Sequence, residues 1–432
     1  MTGGADSSSS AAKRAKVEAA NRDELLRKLP AELWQKIVDE NVQQNDLFAL
    51  AMTCRFFREK QKDLGKKMVT DLNTDHLFEL QESGEVASHT LGWFQWVCDT
   101  FEILPGFEAP VSRFGSKRVK GAVYKGDLVN YAAFQGSVEI LRWLVEEKGW
   151  ETNWRTGEWA GMSGSIEVLE YLKERGYEFN VMACAGAARG GHLKALKWLR
   201  AQDPPCPWDE RTCALAAKGG HLGVLKWSRS QDPPCPWGGE TCGRAAREGR
   251  LDVLQWLRSQ DPPCPWGEWT CSEAAGGGHL DVLKFLRSED PPCPWDEMTF
   301  ANAAEGGHLD VLKFLRDQDL LRPWSESTCF GAARGGNLEV LKWARSQDPP
   351  SHWSAGTCHE AVRGGHLEVL KWLRAEEPPC PWSRNGCRFD ASYSGHHHVV
   401  NWIDQQEDES DLEYSDWEYS DRSYDSYSDE SL

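Results

Sequence analysis

Trp208-Asp-Glu-Arg-Thr-Cys-Ala-Leu-Ala-Ala-Lys-Gly-Gly-His-Leu-Gly-Val-Leu-Lys-Trp-Ser-Arg229 carries two short helical patterns separated by a glycine pair. Its second half has apolar residues at helical spacing. In the preceding copy of that half, Ala195, Leu196, Trp198 and Leu199 span roughly 160° at 100° per residue, while Lys194, Lys197 and Arg200 fill the other side. So wide an apolar arc suits a helix wedged between neighbours on both sides. The first half, Thr212 to Lys218, predicts a short helix whose Ala216-Ala217 admits close approach of the next one. Gly219-Gly220 then ends it, because glycine accepts the left-handed backbone of a helix C-terminus. Such a helix pair cannot bury its apolar surface alone, so the pattern demands stacked copies.

Copies run through most of the chain. Ten segments superpose on an aromatic residue: Trp143, Tyr171, Trp198, Trp227, Trp256, Phe285, Phe314, Trp343, Trp372 and Trp402. The central spacing is 29 residues, with 28 and 27 at the front and 30 at the back. The link between copies, as in Asp203-Pro-Pro-Cys-Pro-Trp208, holds three prolines without amide donors, which predicts an extended, stiff connection.

Ala-Ala-x-x-Gly-His-Leu-x-Val-Leu-Lys-x-Leu, as in Ala303 to Leu315, resembles the second half of an ankyrin repeat, and the resemblance covers about residues 121–404. The period is 29 residues where that family uses about 33, and Thr-Cys replaces its Thr-Pro-Leu-His opening. The expected fold is all-α: a helical-repeat solenoid of the ankyrin kind.

Near the N-terminus, Leu29-Pro30-Ala-Glu-Leu33-Trp-Gln-Lys-Ile37 opens a helix with proline in its first turn, and Asp46 is placed to cap a second helix. Leu29, Pro30, Leu33, Ile37, Leu47, Leu50, Cys54 and Phe57 resemble an F-box. In that family these residues dock on the adaptor subunit of SCF-type cullin ubiquitin ligases, and a following repeat domain holds the protein to be ubiquitinated. A helical cap over the first repeat is the alternative. The chain then divides into a leader (1–24), the F-box-like module (25–65), a helical connector or degenerate repeat (66–120), the array (121–404) and a tail (405–432). The tail is rich in Ser and Tyr, and its eleven acids against Arg422 predict disorder.

The net charge of −18 argues against nucleic acid and against anionic membranes as partners, although ten of those negative charges sit in the tail. No run approaches the ~18 apolar residues of a membrane span, and the N-terminus lacks a secretory signal. The expected compartment is therefore the cytoplasm or nucleus, with the fourteen cysteines reduced. Lys13-Arg14-Ala15-Lys16 reads as a short basic patch or a nuclear signal.

Three sets of recurring residues invite chemistry. Loop Cys206, Cys235, Cys264, Cys293 and Cys380 alternate with helical Cys213, Cys242, Cys271, Cys329, Cys358 and Cys387. Phe300 replaces cysteine at the helical site, and Arg322 and Ser351 replace it at the loop site, which fits small apolar packing rather than metal ligation. His192, His221, His279, His308 and His366 share a turn position with Arg250, Asn337, Ser137 and Ser165, so a polar side chain bonding the turn backbone suffices. His396-His397-His398 is a weak metal candidate. Lys-x-x-Arg recurs, as in Lys197/Arg200 and Lys284/Arg287, but an acid follows each arginine by three (Asp203, Asp290), so a neutralised, solvated face is expected. No phosphate loop, nucleophile elbow or metalloprotease pair is present. A non-enzymatic chain without cofactor or metal is expected, monomeric outside any complex.

Positions that change between repeats while their neighbours stay fixed are the candidates for target contact: Arg211, Arg244, Trp269, Met298, Asn302, Phe330 and His359. Trp269, Met298 and Phe330 together would make an apolar patch. The alternative is local packing within the stack. The functional expectation is a substrate receptor of a cullin ligase, with an ankyrin-like scaffold or inhibitor lacking any ligase link as the other reading.

Overall fold

The computed structural model describes residues 89–100, 103–104, 123–318 and 325–406. The F-box-like residues Leu29, Pro30, Leu33, Ile37, Leu47, Leu50, Cys54 and Phe57 lie outside the described residues, as do the leader and the tail beyond residue 406. Helix α1 (Leu91–Thr100) precedes one two-residue parallel ladder, β1 (Ile103–Leu104) with β2 (Val123–Tyr124). Ten helix pairs follow. They are α2 (Lys125–Phe134) with α3 (Val138–Arg142), α4 (Thr156–Ser163) with α5 (Ile166–Glu174), and α6 (Val181–Arg189) with α7 (Leu193–Arg200). Next come α8 (Glu210–Lys218) with α9 (Leu222–Arg229), α10 (Gly239–Arg247) with α11 (Leu251–Arg258), and α12 (Glu268–Gly276) with α13 (Leu280–Ser288). The last four are α14 (Glu297–Glu305) with α15 (Leu309–Gln318), α16 (Glu326–Arg334) with α17 (Leu338–Arg345), α18 (Ala355–Arg363) with α19 (Leu367–Ala375), and α20 (Arg384–Tyr393) with α21 (His397–Asp404). The protein is a mostly helical repeat protein.

The described residues form two compact lobes. One takes residues up to Thr212 together with Gly223–Cys235; the other takes Cys213–Leu222 and residues from Pro236 onward. In the first lobe α2, α4 and α6 pack in succession. In the second, the first helices α10, α12, α14, α16, α18 and α20 each pack against the next, and every one also packs on its own second helix.

Local chemistry accounts for each repeat. In four repeats a threonine three residues into the first helix accepts from the N-cap amide through its hydroxyl: Gly238 N to Thr241 Oγ1 is 3.4 Å and Gly267 N to Thr270 Oγ1 is 3.3 Å, with Thr299 and Thr357 alike. Where the N-cap is Asp296, its carboxylate also accepts from Thr299 N at 3.3 Å. At the other end the second glycine of each pair is left-handed, Gly307 at φ 78° and Gly365 at φ 74°. Around Gly307 the amide of His308 reaches Ala303 O at 2.9 Å and that of Gly307 reaches Ala304 O at 3.2 Å, the paired C-terminal bonds that satisfy the last carbonyls. Val253, Leu254 and Leu257, like Val282, Leu283 and Leu286 one repeat later, are buried, and each such side chain contributes about 1.5–3 kcal/mol of apolar burial.

The linkers correct the expectation of an extended connection. Six of them begin with a cis Asp–Pro or Glu–Pro bond, as at Asp261–Pro262. The chain then doubles back, so that the amide of Cys264 donates to Leu257 O at 3.1 Å and that of Cys293 to Leu286 O at 2.9 Å.

Within the stretch read as a connector, α1 covers the first repeat. Phe94 and Trp93 are buried, and Phe94 stacks on Tyr131 of α2 at 5.9 Å. His89 lies 4.3 Å from Trp93, and burial pushes its pKa down to about 4, so the ring stays neutral.

Candidate functional site

Two edges of the repeats differ in what they can offer a ligand. The linker edge is occupied by the repeat itself. Six second-helix arginines donate to the linker carbonyl six residues on, five of them from Lys-x-x-Arg and one, Arg258, from Gln-x-x-Arg: Arg258 Nη1 to Cys264 O is 2.8 Å, Arg287 to Cys293 is 2.7 Å, and Arg374 to Cys380 is 2.6 Å. The same guanidinium lies over the linker tryptophan, Arg258 over Trp266 at 3.8 Å and Arg287 over Trp295 at 4.3 Å. The arginines are therefore engaged by carbonyls and indoles; for Arg200, Arg258, Arg287 and Arg345 the acid three residues on is not the partner. Acids do meet two of the lysines, but from the N-terminal side: Glu339 with Lys342 at 3.0 Å and Glu368 with Lys371 at 2.7 Å.

The cysteines line the interior of this edge. Apart from half-buried Cys98, every described cysteine is buried. The loop thiol donates to the carbonyl at the N-cap of the same repeat's first helix, Cys264 Sγ to Gly238 O at 3.4 Å and Cys293 Sγ to Gly267 O at 3.4 Å. The helical thiol 22 residues earlier reaches the loop carbonyl, Cys271 Sγ to Cys293 O at 3.8 Å. Each loop cysteine thus lies by the helical cysteine behind it, not the one seven residues ahead. The hydrogen bond to Cys271 and then burial hold the Cys293 thiol well above its ordinary range, and burial raises Cys329 to about 11. Among the described residues no three His, Cys, Asp or Glu side chains gather as a metal site.

The turn histidines bond across repeats. His308 Nε2 pairs with Gly276 O at 3.1 Å and His366 Nε2 with Arg334 O at 2.9 Å, each on the preceding repeat, and Asn337 Nδ2 donates to Glu305 O at 2.7 Å from the same position. His396 and His398 of the triple run make the same kind of bond, to Arg363 O and Gly365 O at 2.9 and 3.0 Å.

The outward side of the first helices is where the varied residues lie. Arg211 is exposed and held by Asp209 at 2.7 Å; Arg244 pairs with Glu240 at 3.0 Å. The Asn302 amide donates to Ser272 O at 3.4 Å. Met298 and Phe330 are half-buried, whereas Trp269 is 43% exposed. Trp269 lies on Gly243 of the preceding repeat so closely that a Cβ there would fall 1.9 Å from its ring. Phe330 occupies the matching space over Gly356 of the following repeat, where a Cβ would fall 2.7 Å from Cζ. His359 Nδ1 meets Asp390 at 2.8 Å, and Asp390 also takes Arg363 at 3.2 Å. Ion pairs continue along these helices, Arg247 with Glu273 at 3.2 Å and Arg334 between Glu305 and Glu360 at 3.2 and 3.0 Å. Such half-exposed pairs are each worth ~1 kcal/mol or less. Trp269, Met298 and Phe330 therefore do not form one open patch: Trp269 is open, and Phe330 fills a seam.

Sequence reasoning did not single out Phe389 and Tyr393 on α20, which are 68% and 86% exposed and stack at 6.3 Å. Their signal was available, since polar residues hold the equivalent positions, His359 and Arg363, in the preceding repeat. The exposed large apolar residues among those described are Trp154, Trp269, Phe389 and Tyr393. The last three are all on first helices, and Trp154 lies two residues before one.

No family model matches this sequence, the ankyrin and F-box families included, and no curated protein matches it. Among solved structures the chain is similar to the pentatricopeptide repeat protein PPR10 in complex with an 18-nt psaJ RNA element, at 13% identity and a TM-score of 0.26, covering 91% of this chain and 65% of that one. It is also similar to PPR10 from maize, at 12% identity and a TM-score of 0.31, covering 83% of this chain and 57% of that one. This chain thus spans less than two-thirds of the length of those it matches. The exclusion of nucleic acid on net charge is corrected by these matches: helical-repeat proteins similar to this chain are described with RNA bound. No described helix is long and apolar enough to cross a membrane. The chain's own succession of helix pairs makes it a helical-repeat protein.

Proposed function

We propose that this chain is a non-catalytic receptor whose first-helix face holds a target protein, and that its segment Leu29–Phe57 joins the target to the adaptor subunit of an SCF-type cullin ubiquitin ligase. The observation that carries the first half is the distribution of exposed apolar surface. Trp269, Phe389 and Tyr393 are open on first helices, while the linker edge spends its arginines and much of its tryptophan surface on its own closure. Exposed aromatic anchors on a rigid face are what a protein interface uses. The ligase half rests on the F-box-like residues of the sequence alone.

Co-purification of the full chain with the adaptor subunit tests the ligase half, with Leu33→Asp plus Ile37→Asp as the control. Binding by the wild type and its loss in the double variant is the expected result. A wild type that does not bind leaves a scaffold or inhibitor with no ligase link. Polarisation with a labelled single-stranded RNA pool is the counter-probe for the other half: tight RNA binding that Trp269→Ala leaves unchanged would remove the target-protein reading.

A further inference from the structure

The outward face of α12 and α14 is unlike the rest of the second lobe in charge. No lysine or arginine occurs over Ser259–Leu283 or over Ser288–Leu312, stretches that contain both helices. The other first helices of that lobe each carry arginine: Arg244 and Arg247 on α10, Arg334 on α16, Arg363 on α18, Arg384 and Arg388 on α20. Two of the acids in the arginine-free window are answered by neighbours, Glu273 by Arg247 and Glu305 by Arg334. Glu268 and Glu297, in the first turns of α12 and α14, are exposed and have no ion-pair partner among the described residues. Beside Glu268 stands Trp269, one edge seated on Gly243 and the remainder open.

We infer that this shelf binds a cationic segment of the partner protein, with an arginine or lysine side chain laid on the open face of Trp269 and its neighbours paired to Glu268 and Glu297. Here the inference rests on the target-protein reading above and names the chemistry of that target. The chain supplies its own precedent for the contact, because its linker indoles are covered by arginine at 3.8 to 4.7 Å, as in Arg258 over Trp266 and Arg374 over Trp382. Trp269, three residues beyond Trp266, has no cation over its ring among the described residues. Its position on Gly243 fixes the ring before any ligand arrives, so little side-chain freedom is lost on binding. The unanswered carboxylates repel phosphate and attract cations, which sets this shelf against an RNA backbone and for a basic peptide.

The test uses the full chain and two fluorescein-labelled peptides of equal length, one alternating arginine with leucine and one alternating glutamate with leucine, read by fluorescence polarisation. The basic peptide is expected to bind and the acidic one not. Trp269→Ala should weaken binding about tenfold and Trp269→Phe by less, because phenylalanine keeps a ring face for the cation. Glu268→Gln with Glu297→Gln should weaken it about fivefold at low salt, with the difference shrinking at high salt. Asp203→Asn with Asp232→Asn, exposed acids of the first lobe, should leave affinity within about twofold. Circular dichroism melts confirm that each variant folds. Equal weakening by the first-lobe pair, or none by Trp269→Ala, overturns the inference, as does a doubling of mass at high concentration that Trp269→Ala abolishes, which would make the occupant a second copy. If the basic peptide fails while an adaptor-linked protein target still binds, the shelf falls and the receptor reading stands. If only RNA binds, both fall.

Discussion

Six linkers in this chain close through the same arginine-to-carbonyl bond, and the turn ends of the second lobe's first helices share one kind of bond to the preceding repeat, whereas the bodies of those helices meet through different side chains from seam to seam. Trp269 lies on Gly243, the Ser272 hydroxyl bonds that of Thr299 at 3.1 Å, Gly331 lies against the Ala301 backbone, Phe330 covers Gly356, and His359 meets Asp390. The uniform edge repeats because every linker solves one problem, returning the chain to the next helix. The varied seam has a different task. Bulk on one helix is matched by its absence on the other, so each repeat fits its own neighbour better than a more distant one. A near-identical series needs such a device to keep its order, and the side chains left over from that matching, Trp269 foremost, are the ones free to meet a partner.

The sharpest way to break this contrast is at Gly331. A Cβ there would sit 2.1 Å from the carbonyl oxygen of Ala301, a backbone atom that cannot swing away. Replacing a helical glycine by alanine ordinarily stabilises by ~0.5–1 kcal/mol. Gly331→Ala is expected instead to cost about 3 kcal/mol, because the two helices must separate. Urea denaturation followed by circular dichroism reads the shift in midpoint; an unchanged or raised midpoint would show that the seam between α14 and α16 is slack.

Gly243 is the milder version, since its neighbour is a half-open side chain. Gly243→Ala is expected to cost about 1.5 kcal/mol in the wild type and about 0.5 kcal/mol or less in a Trp269→Ala background. That coupling, measured as a double-mutant cycle by denaturation, separates matched packing from simple helix propensity. Additive costs would mean that the indole does not depend on its glycine seat.

Much of this arrangement was legible. The helix pairs, the glycine turn and the apolar spine depend on spacings within about 25 residues of one another, and periodicity reads those directly. The threonines of the Thr-Cys opening were visible only as a departure from a familiar pattern, although Thr241, Thr270 and Thr357 bond the N-cap amide at their helix starts. What could not be read are contacts whose acceptor is backbone or whose partner belongs to the next repeat. The arginine of Lys-x-x-Arg, as at Arg287, has an acid three residues on and so reads as neutralised, yet its partner is a linker carbonyl brought to it only after the chain has doubled back. The seat of Trp269 lies 26 residues behind it on Gly243, a pairing that follows from which helix faces touch and from nothing in the local pattern.

On the uniform edge the effects should be smaller and alike from repeat to repeat. Arg258→Ala removes the bond to Cys264 O and the cover over Trp266, for an expected cost of about 1–2 kcal/mol. Arg287→Ala should match it within about 0.5 kcal/mol, and unequal costs by denaturation would show that the six linkers are not equivalent after all.

The smallest effect is expected where the chain has already made the substitution. Ser351 occupies the loop position of cysteine, and its hydroxyl bonds Ser325 O at 3.4 Å just as the Cys264 thiol bonds Gly238 O at 3.4 Å. Ser351 also accepts from the helical thiol of Cys329 at 3.4 Å, so the pair works with one oxygen and one sulfur. Both groups are donors of similar reach, and the site needs a small side chain that adds a bond to the carbonyl at the start of the same repeat's first helix. Cys264→Ser should therefore cost less than about 0.5 kcal/mol, while Cys264→Val, which keeps the apolar volume but drops the donor and leaves the Gly238 carbonyl only its bond from Thr241 N at 3.0 Å, should cost about 1 kcal/mol. If the two variants ranked the other way in a thermal melt, the loop cysteine would be there for apolar packing alone, and its hydrogen bond would be incidental.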